Sequence, residues 1–338
     1  MPLPPAFIFA PRYKERPWGA QAIARLGAHP PIPAGQRIGE SWEISDREGD
    51  ESVIADGPWR GKTLRELLDT RGAEVMRRPW PKGQRFPLLV KILDCAERLS
   101  LQVHPPPAVA AALGGEPKTE AWYLLDAAPG AALLAGFRRG TTRAAFARAL
   151  RSGKPGEIEA MISRLPVRRG DAIFTPSGRI HAIDAGCLIL EVQQNSDTTY
   201  RVYDWGRVGL DGRPRALHLE ESLCAADFED VEPLLAPLAG KGGRRVLADC
   251  AYFRLEEWSP EAAGEMECQA PAILHAADGA CEVVSPNGAV AVPAGATALL
   301  PAGSRRLHLA STALLATVGE GSCLARKDPR NRTASTSG

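Results

Sequence analysis

Gly170-Asp-Ala-Ile-Phe-Thr-Pro-Ser-Gly-Arg-Ile-His181 is the stretch from which the rest of the chain can be read. Gly170 and Gly178 permit backbone conformations closed to other residues, and Pro176 shapes the turn that delivers His181. Upstream, Leu99-Ser-Leu-Gln-Val-His104 is an apolar strand with a polar stripe. Alternation sends Ser100, Gln102 and His104 to one side and Leu99, Leu101 and Val103 to the other. Such a stripe fits a strand facing a wet, functional barrel interior. Glu120, in Lys118-Thr-Glu-Ala-Trp122, adds a carboxylate. Two neutral imidazoles, a carboxylate and an amide oxygen form a donor set suited to one zinc ion or a neighbouring divalent metal.

Short β-type runs recur at 87–93, 99–103, 121–126, 131–134, 172–174, 187–193 and 199–203, punctuated by Gly and Pro. Spacing this close predicts a β-sandwich or barrel. Helices are expected from Thr63, which can cap an apolar periodic run, over 142–150 and 157–165 as a pair, and after His218. The glycine-rich 238–245 segment predicts a boundary. The expected organisation is therefore a metal-binding unit over 1–237 with helical insertions, a smaller β unit over 246–325, and a disordered polar tail over 326–338. In the second unit, runs at 253–258, 272–275, 281–285, 290–293, 297–300 and 313–318 read as strands. His275 and His308 there have no ligand at metal spacing, so this unit is expected to be metal-free. His29, His218, His275 and His308 all read as ordinary satisfied core histidines.

Forty-one basic and forty acidic side chains leave a net charge of +1. Nothing in that balance calls for nucleic acid or a membrane surface as partner. No apolar run approaches a transmembrane span, and the first residues lack a signal core, so the cytoplasm is the expected location. Seven cysteines, an odd number with no Cys-x-x-Cys pair, argue against a disulfide framework and a thiolate cluster.

Several residues carry two readings. Gln102 is either a direct ligand or a hydrogen-bond partner of a metal-bound water. Glu191 sits in an apolar strand, where a carboxylate must be paired or carry a raised pKa; it is a core salt bridge or a general base. Arg201 and Lys118 are solvated charges or anion contacts. Trp18 and Trp42 are core aromatics or pocket walls.

The 170–181 stretch resembles the second motif of the cupin superfamily, with Ala185 where that motif usually ends in asparagine. A narrower resemblance rests on Ser100-Leu-Gln-Val-His-Pro105, Lys118-Thr-Glu-Ala-Trp-Tyr123, Pro176-Ser-Gly-Arg-Ile-His-Ala182 and Glu191-Val-Gln-Gln-Asn-Ser-Asp-Thr-Thr-Tyr-Arg-Val-Tyr-Asp204. The runs Lys14-Glu-Arg-Pro-Trp-Gly19, Gly39-Glu-Ser-Trp-Glu-Ile-Ser45 and Phe86-Pro-Leu-Leu-Val-Lys-Ile-Leu93 support it. These are similar to the short bacterial form of type I mannose-6-phosphate isomerase from about residue 12 to 222. Pro106 and Pro107 depart from acidic residues common in that family. The resemblance implies a mostly β bicupin with helical additions, its second unit degenerate. It implies one Zn2+ per chain held by Gln102, His104, Glu120 and His181. It further implies interconversion of mannose 6-phosphate and fructose 6-phosphate through a cis-enediol, with a sugar phosphate as the small-molecule partner. It also implies that Arg201 is important for catalysis. We assign Arg201 to stabilising the enediolate or orienting the sugar and Glu191 to proton transfer, with Ser100, Lys118, Asp197 and Trp18 the candidates for substrate contact, Asp197 by orienting Arg201. Two alternatives stand beside it. A metal-dependent cupin oxygenase would usually present two histidines where this chain has Gln102 and His104. A non-catalytic sugar-binding cupin would have no use for Glu191 and Arg201.

Overall fold

The computed structural model describes residues 2–319. The expected tail over 326–338, and residues 320–325 before it, lie outside the described residues. The fold is mostly β with helical additions, arranged as four sheets whose neighbouring strands run antiparallel.

Leu88–Cys95 and Cys187–Gln194 form the middle of a six-stranded sheet, pairing from Cys187↔Cys95 to Gln194↔Leu88. Glu120–Ala127 and Ala172–Thr175 lie on one side of them, Ile38–Ile44 and Arg12–Ala20 on the other. Almost every side chain of the two middle strands is buried because both faces of the sheet are covered. A five-stranded sheet runs Tyr200–Tyr203, Leu101–Val103, His181–Ile183, Ala132–Phe137, Ile162–Pro166. Leu93, Trp122, Leu124 and Ile189 of the first sheet meet Leu133, Ala135 and Ile183 of the second in one core. The outer face of the five-stranded sheet is closed by helices Arg143–Ser152 and Leu219–Ala225, through Leu101, Val103, Phe137, Phe146, Leu150 and Ala225.

The other face of the six-stranded sheet packs on a seven-stranded sheet. Val90, Ile92, Tyr123, Leu190 and Val192 meet Leu255, Ile273, Leu299, Leu314 and Ala316 there. That sheet also includes Phe7–Ala10, which pairs with Thr297–Leu300 as Phe7↔Leu299. The N-terminal strand therefore belongs to a sheet made mostly from the C-terminal third of the chain. A four-stranded sheet covers the far side, with Val283, Val292, Leu307 and Leu309 against Leu274, Leu300 and Leu315.

Most predicted strands are found within a residue or two. Thr63 caps Leu64–Met76 in a capping box, its hydroxyl accepting from Glu66 N–H while the Glu66 carboxylate accepts from Thr63 N–H. One expectation fails: 157–165 is a one-turn helix, Pro155–Glu159, followed by a strand, Ile162–Pro166. Leu165 precedes a proline, which disfavours helix, and the strand gains a ladder through Leu133↔Leu165 and Phe137↔Ile162. Phe7–Ala10, Arg12–Ala20, Ile38–Ile44, Arg244–Asp249, Gly264–Cys268 and Gly303–Leu309 are among the strands that the sequence reading did not anticipate. His308 is exposed on the outer sheet, not a core residue.

Candidate metal centre and cavity

Three elements converge between the six- and five-stranded sheets. His181 opens its strand directly opposite Gln102 in the ladder, and His104 follows Leu101–Val103 by one residue. The turn before His181 is tied to the end of the other strand, because Gly178 N–H donates to the His104 carbonyl at 2.8 Å. Gly178 has φ +94°, which explains the glycine there. Glu120 begins its strand on the facing sheet.

The result is a fully buried cluster in which ligand atoms of His104, Glu120 and His181 lie within 4.8 Å of one another. His104 Nε2 is 3.1 Å from Glu120 Oε1, and His181 Nε2 is 3.9 Å from Glu120 Oε2. Each imidazole uses its other nitrogen on a carbonyl: His104 Nδ1 bonds Thr198 O at 2.8 Å and His181 Nδ1 bonds Arg179 O at 2.9 Å. These contacts fix the rings with Nε2 facing inward, as ligating histidines are usually held. His181 Nε2 and Glu120 Oε2 are buried without a hydrogen-bond partner. Orphaned polar atoms converging in this way fit a divalent cation with nitrogen and oxygen ligands. Gln102 lines the same space.

Charge states suit such a role. Burial pushes His181 down to about 3, and neighbouring His104 adds to the shift. Burial and then Lys118 hold His104 below its ordinary value. Burial opposes a charge on Glu120, but Lys118 and the histidines outweigh it and hold the carboxyl well below its usual range. Lys118 Nζ sits 2.5 Å from Glu120 Oε1 and 3.3 Å from His104 Nε2.

The cluster lies beside a cavity of about 630 Å³, whose walls include Trp18, Ser100, Gln102, Lys118, Glu191, Asp197 and Arg201. All the residues proposed from sequence as substrate or catalytic groups therefore meet here. Glu191 is buried, accepts from Trp122 Nε1 at 2.9 Å and lies 3.7 Å from Lys91 Nζ. Burial first, and then the charge of Glu120, raise its pKa to about 7. Arg201 pairs with Gln102 across the ladder. Its Nη1 donates to Ala216 O at 2.9 Å, while its buried Nε has no partner. Asp197 is exposed and does not bond Arg201.

Sequence reading missed two members of this cavity and left a third residue, Trp42, open between core and pocket wall. Lys91 and Glu40 line it, and Trp42 lies beneath them, donating to Glu40 Oε2 at 2.7 Å with Lys91 Nζ 5.1 Å from its ring centroid. Glu40 is drawn down to about 2: burial alone would raise it, but Lys91 and Arg16 prevail. A lysine inside the apolar run Leu88–Leu93 was a usable signal, since a charge buried on a strand needs partners. His218, expected in the core, is instead half-buried on the cavity wall, where its Nδ1 accepts from Arg201 N–H at 3.1 Å. Nothing local to His218 announces that contact.

Fold and site together define a mostly β protein whose cavity ends on a metal-type donor set. Residues 7–127 match the family described as phosphomannose isomerase type I, catalytic domain. The chain is 36% identical over 283 residues to mannose-6-phosphate isomerase ManA of Bacillus subtilis, covering 79% of this chain and 83% of that protein. It is 34% identical over 274 residues to the mannose-6-phosphate isomerase of Streptococcus mutans, covering 80% and 83%. The crystal structure of the Bacillus subtilis mannose 6-phosphate isomerase superposes with a TM-score of 0.81 at 30% identity, over 93% of this chain and all of that one. The chain belongs to the type I mannose-6-phosphate isomerase family and is an enzyme of that kind.

Proposed function

We propose that this chain interconverts mannose 6-phosphate and fructose 6-phosphate as a zinc enzyme of the cytoplasm, through a cis-enediol. The observation that carries this reading is the buried His104–Glu120–His181 cluster, with two orphaned ligand atoms, at the side of a cavity that also holds Glu191 and Arg201. Gln102 is the fourth ligand in this reading. When bound, zinc would supply a Lewis acid that polarises or orients sugar oxygens without redox chemistry.

The remaining steps rest on the chain's own groups. Moving a proton between C2 and C1 needs a base poised near neutral pH, and Glu191 at about 7 suits that task. Glu40, at about 2, stays ionised and neutralises Lys91 and Arg16. Two carboxylates in one cavity with pKa values pushed apart have separable roles. Arg201 keeps its charge and offers directed donors to the enediolate oxygen. Lys118 is held against Glu120, deep in the site, so it and Ser100 contact the sugar, while Trp18 forms the apolar wall. Arg201 and Arg215 share the cavity, and Arg215 is paired with Asp204 at 2.7 and 2.5 Å. That leaves positive charge for a phosphate of about −2. We read each pair of packed sheets as one cupin unit, the second without metal residues.

A coupled assay on mannose 6-phosphate with metal analysis of the purified chain tests the reading. About one zinc per chain and chelator-sensitive turnover are expected. Iron with oxygen consumption would point to an oxygenase, and sugar binding without turnover to a non-catalytic cupin.

A further inference from the structure

The strand Ile38–Ile44 has two working faces. Glu40 and Trp42 turn toward the catalytic cavity, whereas Ser41 and Ile44 turn toward the seven-stranded sheet. The ladder with Leu88–Cys95 runs Ser41↔Ile92, Trp42↔Lys91 and then Ile44↔Val90. Glu43 is the extra residue, so the strand carries a β-bulge there, one residue from the Trp42 that packs on Lys91. Bulges re-aim side chains and set local twist, and they recur beside active sites.

Glu43 is buried at 3% exposure and is gripped from three directions. His29 Nε2 lies 2.9 Å from Oε1 and Ser41 Oγ donates to the same oxygen at 2.5 Å. Thr297 Oγ1 donates to Oε2 at 3.2 Å, and His275 Nδ1 lies 3.0 Å from that hydroxyl. Thr297 and His275 stand on neighbouring strands of the seven-stranded sheet, paired His275↔Thr297. Thr297 is 254 residues from Glu43 in the chain.

We propose that this cluster is a positioning device: the C-terminal sheet, through Thr297 and His275, pins the bulge at Glu43 and thereby sets Trp42, Lys91 and Glu40 for the isomerase reaction. A bulge relocated by one residue would turn side chains to the opposite face. Trp42 would then no longer lie under Lys91, and the 3.7 Å approach of Lys91 to Glu191 would be lost. The buried carboxylate makes the register selective, because it finds donors only where His29, Ser41 and Thr297 meet. The C-terminal unit holds none of the cavity groups named above, yet by this route it governs how well they are placed. This inference rests on the isomerase reading only for its kinetic arm.

Thr297→Val removes the hydroxyl with little change of volume, and Thr297→Ser restores it. The Val variant is expected to keep its metal and a KM within about twofold, while kcat falls about tenfold, the scale of a small misplacement of reacting groups. The Ser variant should recover most of that loss. A crystal structure of the Val variant should show Lys91 displaced from Glu191. Ser41→Ala, which removes a donor from the other side of Glu43, should reproduce the kcat loss even where the Val variant folds poorly. Lower thermal stability with unchanged kcat and an unmoved Lys91 would overturn the proposal and leave the cluster a purely structural contact. A parent chain that never turns over mannose 6-phosphate would refute the isomerase reading instead, and the position of Lys91 in the variant structures would still decide this one.

Discussion

Between the six- and five-stranded sheets the chain buries Lys91, His104, Lys118, Glu120, His181 and Glu191; between the seven- and four-stranded sheets it buries Leu274, Val283, Leu300, Leu307 and Leu309. The second interior has a charged member in Arg305, which donates to the carbonyls of Pro301 and Gly303. The same architecture therefore holds a polar interior in one place and an apolar one in the other. Buried ionisable groups contribute little net stability, because their desolvation cost offsets most of their mutual attraction. Apolar burial contributes roughly 25 cal/mol per Å². The first pair of sheets is organised for chemistry, and the second supplies stability and a fixed backing for the first.

The sharpest test of that contrast is His181→Ala. It should remove most of the bound metal and nearly all turnover, since a small donor set that loses one imidazole binds its metal much more weakly. The folded state should survive, because the apolar cores are untouched. Full metal content and normal turnover in this variant would remove His181 from the site.

Leu307→Ala cuts into the other interior. A cavity left by a buried leucine costs about 2–5 kcal/mol, so thermal or denaturant unfolding should shift strongly while kcat per folded molecule stays within about twofold. Loss of metal or kcat in the folded variant would show that the two interiors are not separable.

Arg201→Lys keeps the charge and loses the planar fork. Turnover should fall about a hundredfold with zinc content and fold intact, and KM should change much less, because the contact strengthens in the transition state. Near-native turnover would exclude Arg201 from the mechanism.

The smallest effect concerns the boundary between the two halves. His275 is buried beside Thr297, with Glu43 and His29 as the charged or titratable groups facing it, and burial lowers its pKa from 6.5 to about 4. Between those values the unfolded chain binds a proton that the folded chain does not, so stability rises with pH in that window. Stability should therefore fall as pH drops from 6.5 toward 4, and the slope should be shallower in His275→Gln when unfolding is followed across that range. An identical slope in both proteins would mean that His275 is not the group responsible.

Sequence alone pointed to the segments that bring His104, Glu120 and His181 together, with Gln102 on the same cavity. Gln102, His104, Glu120 and His181 lie in short segments where a two-residue period, a glycine or a proline already states which way a side chain turns. The same local signals announced the Thr63 cap and six strands of the C-terminal part, but not Arg244–Asp249, Gly264–Cys268 or Gly303–Leu309. Residues 162–166 misled because their pairing partner, Ala132–Phe137, decided their conformation. Lys91 and Glu40 went unassigned, Trp42 was left open between core and pocket wall, and His218 was placed in the core, because what they touch is set by neighbours on other strands and not by their own surroundings in the chain. His275 read as a histidine without a carboxylate, and the fold supplied one through Thr297, in Glu43, from the far end of the sequence. Periodicity is a property of consecutive residues and survives in the one-dimensional record. The bulge at Glu43, the grip on it from two sheets, and the pKa values of buried groups depend on distances between segments hundreds of residues apart, and only the packed structure determines those.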